Sequence, residues 1–352
     1  MRVRIAREQA PRIDDALAAL LPVEPYLAYS NFRPIARREG ALFALHQQRV
    51  RAAAAGLGVL VARDEHDHPL ALVCLEHREF DSRHFGTAMA KIEPPAALPD
   101  EQTRFRALRE IYGAARDLLR AGGYQHLSAV SSTLDRVACW VLQEIGAFHV
   151  GTKISWMQPL TGRGCVPDLP APLRVEVYDR STIRALSPDS WRRLDEWSGT
   201  AFDRGPFVFD WNVSHDRALA VYQVWTQRAL TGEFADAVLV VRDREEIVAF
   251  HSMMRLADLS EAAGVGILGR GIGGTLPGYH GLFTALQRSC AAVRPLGADF
   301  LENETQASTL PCINVFGKLG HYCVRSTASF HMRLDGGGSG RHPAHAANGT
   351  GI

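Results

Sequence analysis

The sequence predicts an α/β (α+β) protein of two tandem domains, each a mixed, mainly antiparallel central sheet flanked by helices. Three observations lead there. At 352 residues the chain exceeds what one hydrophobic core usually serves. One order of elements, a strand hairpin followed by helix, strand, helix and closing strand, occurs in both halves. The ends of the halves also match residue by residue. Val141-Leu-Gln-Glu-Ile-Gly146 lies over Val315-Phe-Gly-Lys-Leu-Gly320, and without a gap Val150 then falls on Val324, Ser155 on Ser329 and Trp156 on Phe330. Each copy reads as helix, glycine cap and strand.

Taken in order, Met1 to Leu21 carries Arg2, Arg4, Arg7 and Arg12, and Asp14 and Asp15 interrupt its apolar run, unlike the core of a signal peptide. No stretch approaches the ~18 apolar residues of a membrane helix. The six cysteines are scattered, with no C-x-x-C pair. The expectation is a cytoplasmic chain that does not enter a membrane. Gly58 to Arg63 and Pro69 to Leu75 read as strands joined by the polar turn Asp64 to His68; His66 and His68 belong to that turn, and no metal is expected. A helix is predicted over Glu101 to Ala121, stopped by Gly122-Gly123, then a strand over Tyr124 to Val130 and a helix from Leu134 to Ile145. The first domain is placed at 1–161.

The Pro- and Gly-rich segment 162–172 reads as a linker, and 173–334 as the second domain. There, helices around Trp191 to Trp197 and Ala218 to Leu230 precede strands Ala237 to Arg242 and Ile247 to Leu256. A long strand to Thr275, a helix over Leu282 to Ala292, a strand over Ala298 to Thr305, a helix over Leu310 to Leu319 and the strand Tyr322 to Arg333 follow. The tail 335–352, with almost nothing to bury, is expected to be disordered. A net charge of +1 gives no overall bias toward nucleic acid or anionic membrane, so the expected partner is a small molecule; a homodimer is allowed.

The most chemically suggestive segment is Gly271-Ile-Gly-Gly-Thr-Leu-Pro-Gly-Tyr-His-Gly-Leu-Phe-Thr-Ala-Leu286, where a strand ends in Gly and Pro and a helix starts at once. Such a junction offers unpaired N–H groups and the positive end of a helix dipole to a phosphate. Here the chain resembles the GNAT (GCN5-related N-acetyltransferase) superfamily, whose loop Gln/Arg-x-x-Gly-x-Gly/Ala binds the pyrophosphate of acetyl-CoA. Pro277-Gly-Tyr-His-Gly-Leu-Phe283 supplies the Pro and the central Gly281, while Gly278 and Phe283 depart from the pattern. A frame on Arg270-Gly-Ile-Gly273 would put Pro277 inside the helix. Ala201 to Pro206, Ala220 to Ala237 and Glu79-Phe-Asp-Ser-Arg-His-Phe-Gly86 are similar to segments of TDP-fucosamine acetyltransferase and related sugar N-acyltransferases, which pair a reduced N-terminal GNAT-like domain with a complete C-terminal one.

The resemblance implies that acetyl-CoA or another acyl-CoA binds at Leu276, Gly278, Tyr279, His280, Gly281, Leu282 and Phe316, in a cleft where two strands part, near Gly274 to Leu276 and Glu302 to Gln306. Acyl transfer to an amine needs a base, a polarised carbonyl and a proton for the thiolate. Glu304 or Glu302 is the candidate base; as alternating strand residues, both could equally face solvent. The family's proton-donating Tyr falls on Phe316, with His321, Tyr322 and Tyr279 nearby in sequence. Arg204, Trp211, Arg255 and His331 are candidate contacts to the amine substrate, which on this resemblance is a nucleotide-linked amino sugar. Competing readings are a catalytically silent acyl-CoA-binding scaffold and a FemABX-type aminoacyl transferase.

Overall fold

The computed structural model describes residues 3–26, 29–161 and 166–335. Residues 162–165 of the expected linker and 336–352 of the expected tail lie outside the described residues. The first half contains β1 (Arg4–Arg7), α1 (Ala10–Leu20), a 3-10 turn (Ser30–Ile35), α2 (Glu39–Ala54), β2 (Gly58–Arg63), β3 (Pro69–His77), α3 (Glu79–Phe85), β4 (Met89–Ile92), β5 (Ala96–Ala97), α4 (Glu101–Ala121), β6 (His126–Ser132), α5 (Arg136–Glu144) and β7 (Phe148–Pro159). The second contains β8 (Leu173–Asp179), α6 (Pro188–Ala201), α7 (His215–Leu230), β9 (Ala237–Asp243), β10 (Glu246–Arg255), α8 (Ala257–Ala263), β11 (Ile267–Gly269), β12 (Gly273–Thr275), α9 (Leu282–Ser289), β13 (Phe300–Gln306), α10 (Leu310–Lys318) and β14 (Tyr322–Arg333).

Local chemistry accounts for these elements. The turn at Asp64 is closed by its own carboxylate, which accepts from the backbone of His66 and His68. Helix α4 has a side-chain cap, Asp100 accepting from Thr103 N–H, and buries Leu108, Ile111, Tyr112, Ala115 and Leu119 at helical spacing. Two expectations are corrected. The strand to Thr275 is broken: β11 ends at Gly269, Arg270 turns left-handed at φ 54°, and the chain resumes as β12. Gly271 passes so close to Ser252 that a Cβ would stand 1.6 Å from its carbonyl oxygen, and Ser252 Oγ binds both the N–H and the C=O of Ile272. The helix expected to run to Ala292 ends at Ser289 and tightens into a 3-10 turn, because Pro295 obstructs a further α-helical turn.

The strands form one sheet in the order β1-β2-β3-β4-β6-β14-β7-β13-β11-β10-β9-β8, with β5 on β3 and β12 on β10. Among the described residues only the β4–β6 and β11–β13 pairs are parallel. The closing strands have changed places: β14 pairs with β6 of the first half, and β7 with β13 of the second. They meet at the centre of the sheet, where Lys153 opposes Thr327. The duplication is visible in the register. Spans β6, α5 and β7 recur as β13, α10 and β14 with equal lengths and one constant offset. Upstream, the β3–β5 pairs Ala71 with Ala97 and Leu72 with Ala96 recur as the β10–β12 pairs Ala249 with Thr275 and Phe250 with Gly274. Separate apolar cores lie in the two halves, and the first includes Ala328, Phe330, Met332 and Leu334 from the end of the chain.

Candidate active site

Strands β11 and β13 run side by side as far as the pair Gly269 and Glu302, and then part. Beyond the break, β12 keeps β10 on one side and, among the described residues, has no strand on the other. Leu276 N–H donates to Val248 O on the β10 side, so by strand alternation Thr275 N–H faces the gap. Nothing among the described residues bonds it there. At the end of this gap stands α9, whose N-cap, Gly281, carries no side-chain hydrogen bond. Leu282 N–H is used within the loop, donating to Tyr279 O at 2.9 Å, and the amides after it belong to a helix end with no side-chain cap. Gly278 sits at φ 88°, and Cβ atoms on Gly278 and Gly281 would both meet open space. Leu276 and Leu282 anchor the loop in the core. Tyr279 braces it, its hydroxyl donating to Asp243 Oδ2 at 2.6 Å, while His280 is exposed.

In the first half the equivalent gap is filled. Ala97 N–H, the counterpart of Thr275 N–H, donates to Glu24 Oε2 at 2.6 Å. The same carboxylate pairs with buried Arg104, which also binds Asp135. Helix α4 has its N-terminal charge met by its own Asp100, with Glu101 beside it. An anion would find carboxylates there.

Glu302 and Glu304 project from β13 to the same face. Glu302 is buried and its carboxylate accepts from Asn31 Nδ2 at 3.2 Å. Burial, then the charge of Glu304, push its carboxyl up to about 7 against the pull of Arg270, Arg325 and Lys153. Burial also works to raise Glu304, but Lys153 Nζ at 2.8 Å, with Arg325 and Arg270 beyond, brings it down to about 2. Ser155 Oγ donates to its other oxygen at 3.2 Å. Glu304 is therefore an ion-pair partner, and Glu302 is the carboxyl poised to exchange a proton near neutral pH.

On the opposite face, under α9, a buried polar group lies behind the gap: His251 Nδ1 accepts from Gln287 Nε2 at 3.2 Å, and Asn303 Nδ2 donates to Gln287 Oε1 at 3.2 Å. Burial, then repulsion from His321, lower His251 to about 4. Phe316 is buried and stacked on His321 at 5.1 Å, between Trp156 and Phe283. Both ring nitrogens of His321 are buried without a partner among the described residues.

The remaining sequence candidates separate. Arg204 reaches the far end of β13, its guanidinium donating to Ser308 O. Arg255 stands at the other end of β10 from the gap, where it binds Leu296 O and cannot reach it. Trp211 stacks on Phe148 at 3.9 Å, at the start of β7. His331 lies on the part of β14 that pairs with β6, where it and His126 each share Asp210 Oδ2 at 2.7 Å. Although burial works the other way, these two imidazoles hold the Asp210 carboxyl well below the usual carboxylate range. This buried triad spans both halves, and no local motif marks it. Of the substitutes for the missing tyrosine, Tyr279 is occupied by Asp243 and Tyr322 is exposed on the Glu302 side. Sequence reasoning missed Asn31, Lys153, Ser155 and Arg325, which come from other elements and carry no motif.

The parted strands, the helix N-terminus at their outer end and the duplicated sheet define the fold of the GCN5-related N-acetyltransferases, in a tandem arrangement. The chain is similar to a GCN5-related N-acetyltransferase from Sphaerobacter thermophilus, with 13% identity, a TM-score of 0.56, and 94% of this chain and 96% of that one covered. It is also similar to a tandem GNAT protein from the clavulanic acid biosynthesis pathway, at 13% identity and TM-score 0.51, covering 95% and 99%. A GCN5-related glucosamine N-acetyltransferase region of a fungal multi-domain GH3 β-N-acetylglucosaminidase matches at 13% identity and TM-score 0.57, over 94% of this chain and 38% of that one. No protein-family model and no curated protein matches the sequence. Among the described residues no helix is long and apolar enough to cross a membrane.

Proposed function

We propose that the chain is an N-acyltransferase that moves an acetyl or other short acyl group from CoA to the primary amine of a small molecule. The observation that carries this reading is the contrast between two copies of one cleft. In the first half the strand amide and the helix end are met by the carboxylates of Glu24 and Asp100; in the second, Thr275 N–H has no partner among the described residues and α9 has no side-chain cap, its Leu282 N–H turning back to Tyr279 O. An acyl-CoA fits that opening, its pyrophosphate against the loop and helix-start amides that the internal bonds of Tyr279 and Leu282 leave unused and its thioester carbonyl toward Thr275 N–H.

The amine approaches from the face that carries Glu302. As its nitrogen bonds to the acyl carbon and the C–S bond breaks, the amine proton passes to Glu302, directly or through a water, and the group leaves as a thiolate that takes its proton from solvent water, since Phe316 has none to give. His321 stands against the Phe316 ring and, lowered to about 4 by burial, is neutral at pH 7, so it offers the sulfur an N–H hydrogen bond. An amino sugar linked to a nucleotide is the acceptor favoured by the sugar N-acyltransferase-like segments, with Arg204 near the mouth of the cleft.

Calorimetry with acetyl-CoA tests the reading: micromolar binding is expected. Gly281→Asp, accommodated at φ −64° in open space, should weaken that binding at least tenfold by setting a carboxylate against the pyrophosphate. Unchanged affinity in the variant would move the site elsewhere. Binding without thiol release from any amine would favour an acyl-CoA-binding scaffold.

A further inference from the structure

The sheet face opposite α9 carries a polar patch that the cleft alone does not explain. Cross-strand partners project to one side of a sheet. Arg325, Ser155 and Glu304 are partners across β14, β7 and β13, and the next row holds Tyr322, Met157 and Glu302. The 3-10 turn Ser30–Ile35 covers this patch, since Asn31 reaches Glu302. Glu304 is satisfied by Lys153 and Ser155. Arg325 and Arg270 form no ion pair among the described residues, yet both lie within electrostatic reach of Glu302, Glu304 and Tyr29. Arg270 owes its place to the left-handed backbone at the strand break. Two buried atoms here have no partner among the described residues: Asn31 Oδ1, an acceptor on a residue 5% exposed beside Glu302, and Arg325 Nε, a donor. The patch thus presents an acceptor pair suited to an amine and, close by, two uncommitted guanidinium groups suited to an anion.

We propose that this patch is the acceptor subsite and that it selects amines bearing a second, anionic group, a carboxylate or a phosphate. The amine is held by Glu302 and Asn31 Oδ1, and the anion by Arg325 with Arg270. The acyl-transfer part of this assignment rests on the function proposed above; the binding part does not. A nucleotide-linked amino sugar meets the requirement through its diphosphate, and an amino acid through its carboxylate.

The test uses matched amines on the full chain: glycine, β-alanine and γ-aminobutyrate against their amides, and O-phosphoethanolamine against ethanolamine. Two readouts are taken, the thermal shift without acyl-CoA and free-thiol release with acetyl-CoA. Anionic members should raise the Tm and exceed their neutral twins at least tenfold in kcat/KM, and the series with the larger effect identifies carboxylate or phosphate. Arg325→Ala should erase the discrimination in both readouts, Arg325→Lys should retain part of it, and unchanged acetyl-CoA affinity will show that the variants are folded. An equal response to both members of every pair, including no response to either, overturns the proposal, as does discrimination that survives in Arg325→Ala. Thermal shifts by anionic amines without acetyl-CoA binding would sink the transfer reading and leave the subsite standing. Equal acetylation of neutral amines would do the reverse.

Discussion

Glu302 and Glu304 share one strand and one face, yet their protons are held near opposite ends of the carboxylate range. The difference comes from partners: Glu304 has an ammonium at 2.8 Å, whereas Glu302 has an amide and a neighbouring negative charge. With Glu302 as base, kcat/KM should rise with pH through an apparent pKa near 7, because the ionised form is the active one. Glu302→Gln should remove that limb and lower kcat by about 10²–10⁴-fold. In Glu304→Gln the repulsive charge is gone and Lys153 is left unpaired, so both effects favour ionised Glu302 and the limb should move to lower pH. A pH–rate profile of the three proteins checks the sign; an upward or absent shift in Glu304→Gln would remove Glu302 from the role. Strand alternation made the two carboxylates legible as a same-face pair in the sequence. The choice between them was not legible, since Lys153 and Ser155 sit about 150 positions away and Arg325 arrives on a third strand. Arg255 and His331 were plausible by charge and type alone, and only the direction of β10 and the partner of β14 take them out of reach.

At the scale of elements, one strand-loop-helix unit is built twice and closed in one copy. Most of these elements were legible, α4 and β14 to the residue, because apolar spacing and glycine stops are local signals. The break between β11 and β12 was not, since it depends on Ser252, a residue of a neighbouring strand, capturing the backbone of Ile272. The plug in the first half was equally hidden: Glu24 lies far in sequence from both Ala97 and Arg104. Its carboxylate bonds a strand amide and half of a buried guanidinium. Glu24→Ala leaves Arg104 with Asp135 and the carbonyls of Ala97 and Leu98, and leaves Ala97 N–H without its carboxylate, and removing one side of a buried ion pair costs about 3–5 kcal/mol. Urea unfolding should show a loss of that size with acetyl-CoA affinity of the remaining folded protein unchanged. A loss below about 1 kcal/mol would mean that water satisfies both groups.

The whole molecule is held together by the exchange of its closing strands. From the repeat one would expect two units, each folding on its own last strand, and the order along the chain permits nothing else to be read. In three dimensions β6 finds its neighbour in β14, and the first core takes in Ala328, Phe330, Met332 and Leu334 from the end of the chain. The second half in turn receives Leu160 into its core and Met157 into the cluster around Ile267. Asp210 adds a buried tie, joining His126 of β6 to His331 of β14. Fragments 1–161 and 166–335 made separately would each expose an unpaired strand edge and lack part of a core, which favours aggregation. Neither should show a cooperative thermal transition or bind acetyl-CoA alone. Mixed at equal concentration from denaturant, they should regain both, with a Tm that rises with protein concentration because folding has become association. A fragment that melts cooperatively at the Tm of the intact chain would show that the exchanged strands are ornaments on two self-sufficient domains. Loss of reassembly in Asp210→Ala, with the intact chain still folding, would place the docking energy at the triad that joins the halves.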